Sequence, residues 1–232
     1  MPASYYYSPD PLLLPIALCM ILGIVLQGIL RMVFRRYEKT PSHCGMTGAQ
    51  LAARMLEDAG VYDVAVGRSQ GTALSDHYDP RNKALRLSQE VHDSTGVSAL
   101  AVAAHEAGHA MQHALQYAPL NLRNAVLPVM QFASQFAWVL FLAGTFFSLT
   151  GLIYAGIVCF AITIVFQLIT LPVEFNASSR ALAALKAGGY LQSGELPGAR
   201  KVLSAAAMTY VVAALMSILQ LARFLGLARR RD

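Results

Sequence analysis

Hydrophobic positions in this chain are gathered into long charge-free runs, which cover residues 11–30, 124–173 and 202–222. About 20 residues of helix cross the roughly 30 Å hydrocarbon core of a bilayer, so the middle run is long enough to cross twice. The sequence Ser-Leu-Thr-Gly at residues 148–151 favours a turn between its two halves. Four such segments in one short chain disfavour a soluble core helix as the explanation of each. The pattern predicts a mainly α membrane protein with about four hydrophobic spans.

The spans divide the chain into five predicted parts. An N-terminal membrane anchor (1–34) is followed by a small polar α+β part (35–123), a transmembrane hairpin (124–173), a second polar segment (174–201) and a C-terminal hydrophobic helix with a basic tail (202–232). Tyr5–Tyr7 precede the first run and favour a retained anchor, because a cleaved signal peptide would begin with basic residues.

Basic residues indicate the orientation of the spans. The start of the first run carries only Asp10, whereas four basic residues crowd its end: Arg31, Arg35, Arg36 and Lys39. By the positive-inside rule, residues 35–123 are expected in the cytoplasm, and the hairpin returns Glu174 to the same side. Arg229–Arg231 contradict the rule if the last run crosses completely, so the path of that run stays open.

The polar stretch begins with an amphipathic pattern. Leu51, Met55 and Leu56 share one face of a predicted helix, with Thr47 as its N-cap and Gly60 at its end. Residues 61–66 alternate well enough to predict a short strand.

A hairpin and a helix cap are predicted next. The sequence Asp-Pro-Arg-Asn at residues 79–82 is typical of a turn between two strands. The edge strand of this hairpin either pairs with the backbone of a substrate or is purely structural. Asp93, Ser94 and Thr95 offer caps for the helix that follows.

The helix that follows contains the candidate metal-binding and catalytic residues. His105 and His109 are four residues apart, so their imidazoles lie on one helical face, and Glu106 stands beside them. This HExxH spacing is typical of two zinc ligands and a carboxylate that takes a proton from a water at the metal. The small residues Ala107 and Gly108 leave room for another element to approach. Two histidines with ordinary hydrogen bonds are the alternative.

A catalytic zinc site needs a third protein ligand. Glu174 is the preferred candidate, because it ends the charge-free hairpin and returns to the side of the histidine helix. His113 continues the helical stripe but lies about 6 Å further along the axis. The other histidines outside the motif also stay open as candidates: His43, His77 and His92.

Three further residues are assigned supporting roles. Asn176 is predicted to hydrogen-bond a ligand histidine, and Arg180 to stabilise an oxyanion or bind a substrate carboxylate. Arg180 is equally explained as an arginine at a membrane flank. His77, at the hairpin, is assigned to substrate binding or to the surroundings of the metal.

Composition excludes other classes. Charged residues make up only 13% of the chain and 56% of residues are hydrophobic, so an ordinary soluble domain is excluded. The net charge of +5 arises at the flanks of apolar runs, so no nucleic-acid partner is expected. Cys19, Cys44 and Cys159 are scattered and fit neither a disulfide framework nor a cysteine zinc site.

Three motifs together resemble the YugP-type membrane-bound neutral zinc metallopeptidases of bacteria. They are Leu-Ser-Asp-His-Tyr-Asp-Pro at 74–80, Ala-Ala-His-Glu-Ala-Gly-His-Ala-Met-Gln at 103–112 and Leu-Pro-Val-Glu-Phe-Asn-Ala-Ser at 171–178. The resemblance covers nearly the whole chain and its order of spans. It implies a gluzincin in which His105, His109 and Glu174 hold Zn²⁺ and Glu106 is the general base.

These patterns predict a zinc endopeptidase in the bacterial cell membrane, with its site on the cytoplasmic side and membrane or membrane-proximal proteins or peptides as substrates. A non-catalytic zinc-stabilised membrane scaffold or adaptor is the first alternative, although it has no use for Glu106. A metal-dependent hydrolase of lipids or small molecules is the second. A transporter is disfavoured, since no paired broken helices occur. A homo-oligomer or a membrane partner subunit stays open.

Overall fold

The structure is a computed structural model that describes residues 10–70 and 75–229. Tyr5–Tyr7, Leu74 and the end of the basic tail lie outside the described residues. Within them the elements are α1 (Leu13–Glu38), α2 (Gly48–Asp58), β1 (Ala65–Arg68), β2 (His77–Asp79), β3 (Ala84–Leu87), α3 (Gln89–His92), α4 (Val97–Ala114), α5 (Ala118–Phe146), α6 (Thr150–Ala187) and α7 (Leu196–Arg229).

Four helices are long and apolar enough to cross a membrane, namely α1, α5, α6 and α7. This confirms the prediction of four hydrophobic spans. The turn between α5 and α6 also falls where the sequence predicts it, with Ser148 in the left-handed region at φ 55°. Helix α6 is the longest at 38 residues, about 57 Å, and continues unbroken through Pro172 to Ala187. The third span and the segment that carries Glu174 are therefore one helix.

Helix α7 runs antiparallel to α1 over most of its length. Arg223 near its C-terminal end donates to the carboxylate of Asp10, which precedes α1, with an Nε–Oδ2 distance of 2.8 Å. Phe224 stacks on Phe141 of α5 at a centroid distance of 4.1 Å and packs edge-on against Phe160 of α6. These contacts form a small second core at the far end of the bundle. The last hydrophobic run thus traverses the full length of α1.

The polar stretch folds around α4, which is buried along most of its length. Helix α2 has the predicted apolar face and a capping box in which Thr47 and Gln50 bond reciprocally. The short strand predicted at residues 61–66 is present but begins later, as β1, because the N–H of Val61 still donates to the carbonyl of Leu56 at the end of α2. Pairing begins only at Ala65, whose N–H donates to the carbonyl of Lys83.

The three strands form one sheet in the order β1-β3-β2, so β2 is an edge strand. The hairpin is confirmed: β2 pairs antiparallel with β3, and Asp79 accepts the N–H groups of Arg81 and Asn82 in the turn. The capping prediction for α4 is wrong. Its N-cap is Gly96, where a Cβ would lie 2.4 Å from the carbonyl oxygen of Glu38, and Asp93 pairs with Arg68 instead.

Candidate metal centre

Helices α4 and α6 place the two halves of the site against each other. His105 and His109 lie on one face of α4, with a distance of 4.7 Å between their ring centroids. The two helices approach each other closely at Gly108, because a Cβ there would lie only 2.8 Å from the carbonyl oxygen of Ala177. The small residues of the motif therefore allow α6 to pass directly over the histidines.

Glu174 of α6 points at both imidazoles. Its Oε2 is 3.2 Å from Nε2 of His105 and 3.6 Å from Nε2 of His109. One potential metal-binding atom from each of the three side chains lies within 4.8 Å of the other two. Among the described residues, His105, His109 and Glu174 are the side chains close enough together to share a metal ion. His43, His77, His92 and His113 lie outside it. Glu174 itself is 2% exposed.

The outer nitrogens of both imidazoles have partners. Nδ1 of His105 is 3.1 Å from the hydroxyl of Ser178, and Nδ1 of His109 is 3.0 Å from Oε1 of Gln112. The amide nitrogen of Gln112 donates to the carbonyl of Val173, so its oxygen faces His109. Nδ1 of neutral His109 therefore carries the proton and Nε2 carries the free lone pair.

This arrangement fits a divalent cation. Two imidazole nitrogens and a carboxylate oxygen converge in a largely buried space, and this donor set is the one that zinc takes in catalytic sites with two histidines and a glutamate. Without a cation, a favourable contact between Nε2 of His109 and the carboxylate oxygen would require a second proton on the imidazole.

Asn176 and Arg180 lie further from the ligand histidines than the sequence predicts. Asn176 contacts neither histidine; its Oδ1 accepts from the amide of Gln112 at 3.0 Å and from Nε of Arg180 at 2.7 Å. The partner of the ligand histidine is Gln112, whose amide bonds His109 through its oxygen and Asn176 through its nitrogen. The guanidinium of Arg180 lies over the ring of Tyr117, 5.9 Å from the ring centroid. Arg180 lines neither of the two cavities beside the histidines.

A groove of about 520 Å³ opens over the site. Strand β2 with its turn forms one wall, including His77, while Arg123 of α5 and Tyr210 of α7 lie on others. His77 is held by a contact of 2.9 Å between its Nδ1 and the carbonyl of Ser75. Nη1 of Arg123 lies 3.8 Å from Oε1 of Glu174, the oxygen that does not face His105.

Glu106 lines this groove and also a smaller cavity of about 130 Å³. Asp76, which lies just before β2, also borders both cavities and accepts the N–H and the hydroxyl of Ser88. Burial raises the pKa of Asp76, and the negative charge of Glu106 raises it further. Two carboxyl groups therefore face the place where a substrate would lie beside the histidines.

Several residues of the site escaped the sequence analysis. Gln112 follows His109 by three residues and Ser178 follows Glu174 by four, so helical spacing alone could have placed each on the correct face. Arg123 and Tyr210 carry no such signal, because they come from helices that meet the site only in the folded bundle.

Comparison with known proteins places the chain in a family. The model of a family described as "Putative neutral zinc metallopeptidase" matches residues 12–229. The "Putative membrane protease YugP" of Bacillus subtilis (strain 168) is 49% identical over 191 residues, which is 82% of this chain and 84% of that protein. No solved structure matches the chain. The match extends over both α4 and α6, so the chain belongs to the neutral zinc metallopeptidase family that this model describes.

Proposed function

We propose that this protein is an integral-membrane, zinc-dependent endopeptidase of the gluzincin type. The observation that carries the proposal is the convergence of His105, His109 and Glu174 beside Glu106, at the floor of an open groove. A structural zinc site closes its fourth position with a protein ligand, whereas a catalytic one leaves it open to water and substrate. Family membership and the B. subtilis relative support the same reading.

His105, His109 and Glu174 would hold the ion, and zinc bound there would lower the pKa of a coordinated water and polarise a substrate carbonyl. Glu106 accepts the proton of the attacking water and passes it to the leaving amine. Gln112 and Ser178 fix the orientation of the two imidazoles.

Two further side chains contribute a positive charge and a hydrogen-bond donor to the groove. Arg123 neutralises the outward oxygen of Glu174 and lines the groove, so we assign to it the electrostatic role that the sequence suggested for Arg180. Tyr210 lines both cavities together with Glu174 and Glu106, and its hydroxyl would donate to the oxyanion that forms on the substrate carbonyl.

The substrate would lie along strand β2. An extended segment can add to this free edge through its backbone, which places a peptide bond over the site without demanding one sequence. Together with the basic flank of α1, this favours cytoplasmic, membrane-proximal segments of proteins as substrates. A homo-oligomer or a partner subunit remains a prediction.

The test compares wild type, Glu106→Gln and Glu90→Gln, purified in detergent and incubated with an unfolded protein. Glu90 is exposed on the short helix α3, so its variant is the matched control. We expect zinc in all three proteins and new peptide ends, detected by mass spectrometry, only with wild type and Glu90→Gln. The loss for Glu106→Gln should be at least about a hundredfold. Equal cleavage by Glu106→Gln would refute Glu106 as the general base, whereas zinc without cleavage by wild type would refute the peptidase and favour the scaffold.

A further inference from the structure

We propose that the cavity between α1, α4 and α7 is a specificity pocket for a hydrophobic side chain next to the scissile bond. This inference rests on the proposed function and names the class of residue at which the enzyme cuts. We call this cavity the helix pocket. It has a volume of about 130 Å³ and is lined by Leu30, Phe34, Val102, Val202, Leu203 and Ala206, among others.

The helix pocket and the substrate groove meet at the site. Both cavities are bordered by Asp76, His105, Glu106, Glu174 and Tyr210. A peptide whose reacting carbonyl lies over these residues has a backbone in the groove. Because successive side chains of an extended chain point to opposite faces, one residue flanking the scissile bond would direct its side chain into the pocket.

The walls of the helix pocket select for apolar groups. They consist mostly of aliphatic and aromatic side chains from α1, α4 and α7, and among the described residues Ser178 of α6 is the one polar lining residue that the pocket does not share with the groove. A charged side chain would lose most of its hydration against these apolar walls. Three carboxyl groups at the mouth, Asp76, Glu106 and Glu174, would in addition repel an acidic side chain.

The size of the pocket is set by a small residue. Ala206 of α7 lines the cavity and is half-buried, so a larger side chain at this position would occupy the space that the substrate needs. Leu30 of α1 lines it from another side and is also only half-buried, so its truncation would enlarge the pocket.

The experiment maps cleavage sites of the full-length, zinc-loaded protein on an unfolded protein by mass spectrometry. For wild type we expect one of the two positions beside the cut to favour Leu, Ile, Met or Phe over Ala and Ser by about tenfold to a hundredfold. Ala206→Phe should abolish that preference and retain cleavage beside small residues. Leu30→Ala should shift the preference toward Phe and Trp.

The matched control is Ala205→Phe, which makes the same change at a half-buried neighbour on α7 outside the pocket lining. Its cleavage profile should equal that of wild type. A wild-type profile without apolar preference, or the same profile for Ala206→Phe and Ala205→Phe, would overturn the pocket while leaving the peptidase intact. If Ala206→Phe no longer binds zinc, the cleavage profile of Leu30→Ala decides whether the helix pocket sets the preference. Absence of any cleavage that depends on Glu106 would instead overturn the proposed function, and the pocket with it.

Discussion

Gln112 shows how much of this site depends on one buried amide. Its side chain is fully buried and touches three elements of the site: the imidazole of His109, the backbone of Val173 and the amide of Asn176. Through Asn176 the same network reaches Arg180. A single glutamine therefore fixes the tautomer of one histidine and ties α4 to the turn of α6 that carries Glu174.

Replacing Gln112 should weaken metal binding. In Gln112→Leu, Nδ1 of His109 loses its acceptor, so the ring is free to rotate or to place its proton on Nε2. We expect zinc affinity, measured by competition with a chelating indicator, to fall about tenfold to a hundredfold.

The control is Gln167→Leu, which removes a half-buried glutamine of α6 that bonds Ser217 of α7. Its zinc affinity should remain that of wild type. Equal zinc affinity in wild type and Gln112→Leu would show that the hydrogen bond to His109 has no part in binding the metal.

At the level of elements, the crossing of α4 and α6 determines the geometry of the site. The helices contribute two histidines and one glutamate, and they can approach so closely only because Gly108 has no side chain. Ala177 is fully buried at the contact, so neither helix can move away without opening a void.

Gly108→Ala should therefore separate the helices. The added Cβ would lie 2.8 Å from the carbonyl oxygen of Ala177, and relieving this clash costs about 1–3 kcal/mol, more than the roughly 1 kcal/mol that alanine adds in helix propensity. We expect a lower thermal midpoint in detergent and reduced zinc content, because Glu174 moves with α6.

Gly28→Ala on α1 serves as the reference, since a Cβ there meets nothing within 4 Å. It should retain zinc and be at least as stable as wild type. Full zinc content and unchanged stability in Gly108→Ala would contradict a tight crossing of the two helices.

At the scale of the whole molecule, the bundle has two distinct ends. The larger core and the metal centre lie at one end, while Phe141, Phe224 and the Asp10–Arg223 pair lie at the other. The loop between α6 and α7 belongs to the site end, because Glu195 accepts the backbone N–H of His43. The turn at Leu149 belongs to the far end.

This organisation predicts opposite accessibility of the two loops across the membrane. The three native cysteines are free, so they would first be replaced. In that background, a membrane-impermeant maleimide added to intact protoplasts should label Leu149→Cys, and should label Gly194→Cys only after permeabilisation. Both positions are exposed. Labelling of Gly194→Cys in intact protoplasts would place the metal centre outside the cytoplasm.

Much of the fold was predictable from the sequence because the signals are local. Hydropathy over about 20 residues marks a span regardless of what packs on it, and the capping box of α2 and the turn at Asp79 act within a few residues. The strand predicted at 61–66 begins only at Ala65, because the hydrogen bonding at the end of α2 extends to Val61 and the alternation of apolar residues does not reveal this.

The amino-acid sequence by itself determined the four apolar helices and the helical face that presents His105 and His109, since both follow from the composition and spacing of neighbouring residues. Only the tertiary structure decided that Glu174, 69 residues after His105, approaches both imidazoles, that Gln112 rather than Asn176 contacts His109, and that α7 runs back along α1. These contacts depend on how long helices pack against each other, and that packing is encoded in complementary surfaces far apart in the chain.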